Sequence, residues 1–493
     1  MKKIGLLVLS FTAITGVTSC GLFSRHVWSW EKSTVNDTIN YCLLIGQEDH
    51  NDSNDRTAGI RSALDTKPTD PSKIKPLANL EEPKIGEITL RGGAIDEESE
   101  PAPAKKFTVK ELEHREQKSL AGTTWDPITA NGSAATWTAK HGEKITMFVS
   151  NNDGMAEGAL GASCWYQGMP IFGYDANKST LRFIQSGRVI ATIDSNTPTQ
   201  CLSAAMLIRN ICDHTAQYPN DDSKFNPCSI GFRTFDSTRT EEEYRTPYGF
   251  VNSNVSFDGC SDDDIGKDGN HAILVDSCAV TNFPDVGEYF NDGEQIPVKD
   301  YFDEDGKDKS TETRAKDMEP NVQHAEGKRL KVLQSYYSNT DVYFSGNMDP
   351  FFKHFYNMFN IDISRIDGDA TNEDKLVNNV IAAINGQRSA GGFDAIMLNV
   401  IKQPNCDLYV NKIAQTLGLK QEDDWSKRSN IPLIFWNRQP TNLSGEVSKD
   451  VMNNKFFKYT YYIGFGAKAG GDLQGKTITS WLNYKYVENY HKN

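Results

Sequence analysis

Ile145–Asn196 reads ITMFVSNNDGMAEGALGASCWYQGMPIFGYDANKSTLRFIQSGRVIATIDSN, and this stretch decides the fold. Two short apolar runs, Ile145–Val149 and Met169–Phe172, have the make-up of buried parallel strands. Each ends in a polar cluster, Ser150–Asp153 in one case and Gly173–Asp175 in the other. Between them Met155–Tyr166 reads as a helix, which makes a β-α-β unit. A second helix, Lys178–Ser186, stops at Gly187, and Val189–Ile193 is a third strand. In open α/β sheets ligands bind beyond the carboxyl ends of the strands. Asn152, Asp175 and the cluster Asp194–Asn196 therefore share one edge. It is rich in amides and carboxylates, with no glycine-rich phosphate loop and no metal-type cluster.

The wording NNDGMAEGA, then PIFGYDA, then a helix ending QSG and a strand with Thr192, resembles the galactose/glucose-binding branch of the type I periplasmic sugar-binding family. The resemblance implies an α/β chain with two Rossmann-like lobes around a cleft. It also implies a monosaccharide (glucose or galactose) held in that cleft and an ABC permease as partner. No catalytic residue or cofactor is expected, and no bound metal, because the calcium ligands of the family are missing from this chain.

The same resemblance extends upstream. Tyr41–Ile45 is a buried strand ended by Gly46, and a polar turn with His50, Asp52 and Arg56 opens a helix at Thr57–Leu64. By spacing alone, Asp52 and Arg56 form an i,i+4 ion pair of ~0.2–0.5 kcal/mol. The resemblance instead assigns His50, Asp52 and Arg56 to sugar contacts, and gives Trp125, in Thr124-Trp125-Asp126, a ring that stacks on the sugar. Residues 65–117, rich in Pro, Glu, Lys and Asp, have the composition of a mobile insertion.

Downstream, Pro198–Cys212 is an amphipathic helix, and His271–Val275 with Pro284–Phe290 resemble the end of the family's chain. The acidic stretch within 213–270 does not fit a calcium loop. Asp341–Phe344 then reads as a strand, Ser345–Phe351 as a turn carrying Asp349 and Phe351, and Pro350–Asn360 as an aromatic helix. Leu376–Ile384 is a helix, and Ala395–Val400, Ile431–Trp436 and Tyr459–Ile463 are strands. IPLIFWNRQPT and YYIGFGAKAGGDLQGK resemble the family's amino-terminal lobe, so the order reads as circularly permuted. The expected division is a leader 1–19, a tether 20–40, a lobe 41–196 resembling the family's second lobe, a segment 197–290 returning to the other lobe, an acidic linker 291–330 and a lobe 331–493 resembling the family's first.

A pyranose presents hydroxyls that donate and accept, and two faces of C–H groups. Carboxylates, amides and arginine match the hydroxyls, and aromatic planes cover the faces. Carried over from the resemblance, Phe351 and Trp125 sandwich the ring. Asp349 and Asn437 come from one lobe, and His50, Asp52, Arg56, Asn152 and Asp175 from the other. Where the family has an asparagine after the third strand, the register gives Ser195. The family's calcium ligands are missing: Lys32–Asn40 lacks spaced carboxylates and Thr146 replaces a distal Glu.

Composition sets the frame. The 493 residues suffice for two or three domains, and 38% hydrophobic content fits a globular chain. The net charge of −14 and the lack of basic runs argue against nucleic acid. Lys2-Lys3, the apolar run Ile4–Val17 and Val17-Thr18-Ser19-Cys20 make an export signal. A cysteine placed there resembles a lipobox, so Cys20 is expected to carry a lipid anchor, with the monomeric protein on the outer face of the cell membrane. None of the other eight cysteines has CxxC or Cys/His spacing, so zinc is disfavoured. Cys212, Cys228, Cys260 and Cys278 lie in a loop-rich region where pairing is open. Two other functions fit the same chain: an adhesin or sensor that keeps the fold without transport, and a glycosidase. The second lacks an apolar pocket that would raise the pKa of an acid.

Overall fold

The computed structural model describes residues 26–27, 38–48, 50–67, 85–162, 166–217, 255–258, 272–316, 328–442 and 445–492. The expected leader and the lipidation position Cys20 lie outside them, as do residues 68–84 and most of 218–271.

In chain order the strands are β1 (Thr38–Ile45), β2 (Gly86–Leu90), β3 (Lys105–Glu116), β4 (Met147–Ser150), β5 (Ile171–Phe172) and β6 (Ala191–Asp194), then β7 (Val255–Asp258), β8 (Ala272–Val275), β9 (Cys278–Thr281) and β10 (Gln295–Pro297). The last five are β11 (Leu330–Tyr336), β12 (Ile361–Asp367), β13 (Ala395–Leu398), β14 (Leu433–Trp436) and β15 (Thr460–Phe465). They form two main sheets. One has eight strands in the order β10-β9-β6-β5-β4-β1-β3-β2, the other seven in the order β12-β11-β13-β14-β15-β8-β7. Every pairing from β3 to β6 in the first sheet, and from β12 to β8 in the second, is parallel. Parallel strands need crossovers that cover both faces, and the helices supply them.

Period-2 alternation sorts the central strand β1. Ile39, Tyr41 and Leu43 face one core with Phe107, Val109, Ile478, Trp481 and Leu482. Cys42 and Leu44 face the other, with Phe148, Ala130 and Trp137. The second sheet is covered by the helices Asp349–Met358 and Thr197–Gln217, among others, in a single core that includes Val332, Phe352, Phe355, Ile396, Ile434, Tyr462, Leu202 and Ile208.

The chain crosses between the sheets at three adjacent places. β6 ends at Asp194 and feeds the helix Thr197–Gln217, which packs on the second sheet. β8 of the second sheet runs through Asp276-Ser277 into β9 of the first. β15 ends at Phe465 and feeds the long helix Ala467–Lys492, which packs on the first. This last helix meets the helix Asn51–Ala63 backbone to backbone. A Cβ at Gly59 would stand 2.2 Å from the Gly471 carbonyl carbon, and one at Gly471 2.5 Å from the Asp55 oxygen. Any side chain there would push the two helices apart.

Three expectations need correction. Residues 85–117 are not a mobile insertion. β3 lies beside β1 in the first sheet, and its apolar Phe107 and Val109 fill the core between charged neighbours on the open face. High overall polarity hid that alternation. The stretch 291–330 is not wholly a linker either. β10 pairs with β9, and Val298, Tyr301 and Phe302 are buried against Leu181, Ile184 and Val280. Finally, Asp341–Phe344 is not a strand. The strand is Leu330–Tyr336, and 344–348 is a π-helical turn. Of the cysteines singled out as possible partners, Cys212 and Cys278 are free thiols.

Candidate functional site

One pocket lies between the carboxyl ends of the two sheets. The first lobe contributes His50, Asp52, Arg56, Trp125, Asn152 and Asp175; the second contributes Tyr337, Asp341, Tyr343, Phe344, Asn437 and Arg438. Most follow the end of a strand: β1 precedes His50, β4 Asn152, β5 Asp175, β11 Tyr337 and β14 Asn437, while Arg56 lies one turn into the helix after His50. That placement follows from parallel strands ending at one edge.

His50 caps the helix Asn51–Ala63, its side chain accepting the Asp52 backbone N–H through Nδ1 at 3.2 Å. With Nδ1 an acceptor, Nε2 carries the proton of the neutral ring. Burial, with Arg438 and Arg56 nearby, pushes the imidazole pKa well below its ordinary value, so the ring stays neutral. It meets Trp125 edge-on, with centroids 5.6 Å apart.

Arg56 is buried over the Tyr174 ring at 3.5 Å and donates to the Asn151 carbonyl at 2.6 Å, with Asp175 Oδ1 at 3.5 Å. Burial opposes its charge, but Tyr174, Asp175 and Asp52 together hold its pKa above the ordinary value. Burial also drives the Asp175 carboxyl up to about 8, against the pull of Arg56, and Asp52 up to about 6 against Arg56 and Arg438. Asn151 is the brace behind the first lobe's wall. Its Oδ1 accepts from Gly46 N at 3.0 Å and from the hydroxyls of Ser53 and Thr57, each at 3.2 Å.

Trp125 holds its ring against the chain at Gly46, where a Cβ would lie 2.3 Å from a ring carbon. Only glycine admits it. Trp125 has φ 59°, Asp175 φ 112° and Asn437 φ 62°. Such conformations cost ~1–3 kcal/mol each and gather at ligand sites; a bulky residue there is a marked outlier. The Trp125 indole N–H and the Arg56 Nε are buried without a hydrogen-bond partner among the described residues. Both are donors that a bound ligand could use.

From the second lobe, Asp341 Oδ1 accepts the Tyr343 N–H at 2.9 Å, and Oδ2 accepts the Tyr337 hydroxyl. The Arg438 guanidinium lies 3.5 Å from the Tyr337 ring centroid. Asn437 Oδ1 accepts from Asn399 Nδ2 at 3.3 Å. The Tyr343 hydroxyl crosses the cleft to Ser195 Oγ at 2.8 Å and Thr197 Oγ1 at 3.1 Å. The pocket is tight, a cavity of ≈ 40 Å³, room for about three waters. A pyranose would have to widen it by moving the side chains that line it.

Seven residues named from the sequence thus meet here: His50, Asp52, Arg56, Trp125, Asn152, Asp175 and Asn437. Ser195 stands behind the wall, tied to Tyr343. Asp349 and Phe351 are elsewhere. Asp349 pairs with Arg365, and Phe351 is buried in the second lobe's core beside Phe355. The error was one of register. Asp341-Val342-Tyr343 and Asp349-Pro350-Phe351 share an Asp-x-aromatic pattern eight residues apart. The alternation of Leu330, Val332 and Tyr336 marks the true strand, which puts the first copy at its carboxyl end. Arg438 and Tyr337, also missed, carried no signal beyond adjacency to a strand end.

Residues 29–216 match the family described as "Periplasmic binding protein domain". Together with the strand order and the three crossings, that decides the architecture. The chain has the two-lobed type I periplasmic binding protein fold. A curated relative, the D-galactose/methyl-galactoside binding periplasmic protein of Haemophilus influenzae, is 29% identical over 146 residues, 28% of this chain and 44% of that protein. The match therefore spans less than half the relative's length. Among solved structures, a putative LacI transcriptional regulator from Bacteroides fragilis aligns over 91% of this chain and 88% of its own at 11% identity and a TM-score of 0.35. A periplasmic solute binding protein of an ABC transporter from Actinobacillus succinogenes, with bound D-allose, aligns over 34% of this chain and 46% of its own at 15% identity and a TM-score of 0.18.

Proposed function

We propose that this protein binds an aldohexose, D-glucose or D-galactose, between its lobes and delivers it to an ABC permease without chemical change. In this reading it is a monomer held at the outer face of the cell membrane by lipid on Cys20. The observation that carries the reading is the convergence, in one pocket, of seven residues chosen from the sequence for sugar contact and drawn from both lobes.

The chemistry suits a pyranose. Asp52, Asp175 and Asp341 accept hydroxyl protons, while His50 Nε2, Arg56, Asn152 and Asn437 donate. In this reading Trp125 and Tyr343, both lining the pocket, cover the two ring faces, so Tyr343 takes the role assigned above to Phe351, and Asp341 that of Asp349. The fold's chain order is read as circularly permuted. The lobe resembling the family's second comes first, and 291–330 joins the family's old ends. Two contacts support this. Thr38, where β1 starts, pairs with Thr108, and Tyr486, in the last turns of the final helix, packs against Phe107, 5.7 Å between ring centroids. The first strand and last helix thus meet at one end of the first lobe, as a chain running directly from one to the other requires.

Calorimetry with D-glucose, D-galactose and D-ribose tests the reading. A hexose should bind with micromolar affinity, about −8 kcal/mol, and the pentose more weakly. No heat with either hexose at millimolar concentration would overturn it. Loss of uptake on deleting the permease would separate transport from adhesion or sensing.

A further inference from the structure

Two buried amide side chains bridge the lobes without lining the pocket. Asn347 lies on the π-helical turn Phe344–Met348 of the second lobe, 6% exposed. Its Nδ2 donates to the Asp175 backbone oxygen at 3.0 Å and to Asn177 Oδ1 at 3.0 Å, both on the first lobe. The backbone oxygen can only accept, which fixes the orientation of the Asn347 amide. Gln403, 1% exposed on the second lobe, accepts the Asn51 N–H at 2.8 Å through Oε1. Asn51 is the first residue of its helix, where N–H groups have no acceptor within the helix, and it sits between His50 and Asp52.

One partner is the backbone of Asp175, a proposed sugar contact, and another is the backbone of Asn51, which sits between the proposed contacts His50 and Asp52. Asp175 holds φ 112°, and Ala176 beside it φ 50°. Non-glycine residues keep such conformations only where the surroundings enforce them. On the first lobe Asp175 is held by its own N–H to the Ile193 oxygen at 2.7 Å; on the carbonyl side the hold comes from Asn347. Parting the lobes breaks both amide bridges.

We propose that Asn347 and Gln403 are positioning residues that complete the opposite lobe's half of the site on closure. Asn347 fixes Asp175, and Gln403 fixes the helix turn bearing His50 and Asp52. Closure then does more than enclose the ligand, because it sets the geometry of the groups that hold it. The inference rests on the hexose-binding reading above and deepens it.

Stopped-flow tryptophan fluorescence with D-galactose and D-glucose tests this on the full mature protein. Asn347→Ala and Gln403→Ala should each raise the sugar dissociation rate about tenfold, with association changed less than about threefold, since closure acts on the off-rate. Asn347→Asp matches the native side chain in size but turns acceptors toward two acceptor oxygens. It should be at least as impaired as Asn347→Ala, whereas a space-filling role would leave it near wild type. Wild-type dissociation in Asn347→Asp overturns the proposal. Should the wild-type protein bind neither sugar, the hexose reading fails by itself, and small-angle scattering of the sugar-free protein decides the bridges. An Asn347→Asp/Gln403→Ala double variant should have a larger radius of gyration than wild type, and an unchanged radius overturns the proposal.

Discussion

Gly46→Ala is a small change with a calculable effect on the pocket. The added methyl would stand 2.3–2.5 Å from three carbons of the Trp125 ring. Carbon atoms rest at about 3.5–4.0 Å, so the ring must retreat by roughly 1 Å. A gap of about 1 Å forfeits up to about half of each contact's attraction. On a stacked sugar, with ring-specific contributions of about 0.5–1.5 kcal/mol beyond burial, half of that is about 0.5 kcal/mol, or about twofold in Kd. Overpacking also costs roughly 1–3 kcal/mol of stability. Calorimetry and thermal melts on Gly46→Ala, Trp125→Ala and the double variant form a cycle. Once Trp125 is gone the three atoms nearest the methyl are gone, so Gly46→Ala should then cost far less in affinity and stability. Additive penalties in the double variant would refute the reasoning, because they would mean that Gly46 acts independently of the ring.

Tyr343→Ala should weaken hexose binding at least tenfold by calorimetry. Phe351→Ala should instead leave affinity intact while costing the second lobe about 3–5 kcal/mol in a denaturant melt, as a large-to-small core change. For pH, Asp175 is held up to about 8, mainly by burial, against Arg56. A raised folded-state pKa stabilises fully below the unfolded value near 4 and loses that contribution as pH rises through about 8. The sugar-free melting temperature should therefore fall between pH 5 and 8, and Asp175→Asn should flatten the slope. Cys20→Ser should abolish incorporation of labelled palmitate, and continued labelling would place the anchor elsewhere.

The first lobe's half of the site was legible because its motifs are local. Asn152 and Asp175 follow short apolar strands within one β-α-β unit, and His50, Asp52 and Arg56 fall within seven residues after another. The second lobe was less legible. Leu330–Tyr336 mixes Lys, Gln and Ser into its strand, which weakened the apolar signal and allowed the later Asp-x-aromatic pair to stand in for the right one. β3 was lost for a similar reason: its inward Phe107 and Val109 are outnumbered by lysines and glutamates on the open face. Asn347 and Gln403 act only across the cleft. No spacing along the chain relates them to Asp175 or Asn51, which lie 172 and 352 residues away.

The last helix has a consequence for the order of events during synthesis. Ile478, Trp481 and Leu482 form one wall of the core under β1, and Gly471 seats the helix directly on Gly59. Over 400 residues separate Ile45 from Ala467, so at about 5–20 residues per second the first lobe waits roughly 20–80 s for its own wall. Until then its apolar sheet face has no partner, and the lobe cannot close its core on the ribosome. In the exported reading proposed above, this delays folding until the last residues are made and keeps the early lobe threadable. A chain stopped after Gly466 should therefore release a protease-sensitive first lobe, and a protease-resistant fragment spanning β1 to β6 would show that the lobe completes itself without that helix.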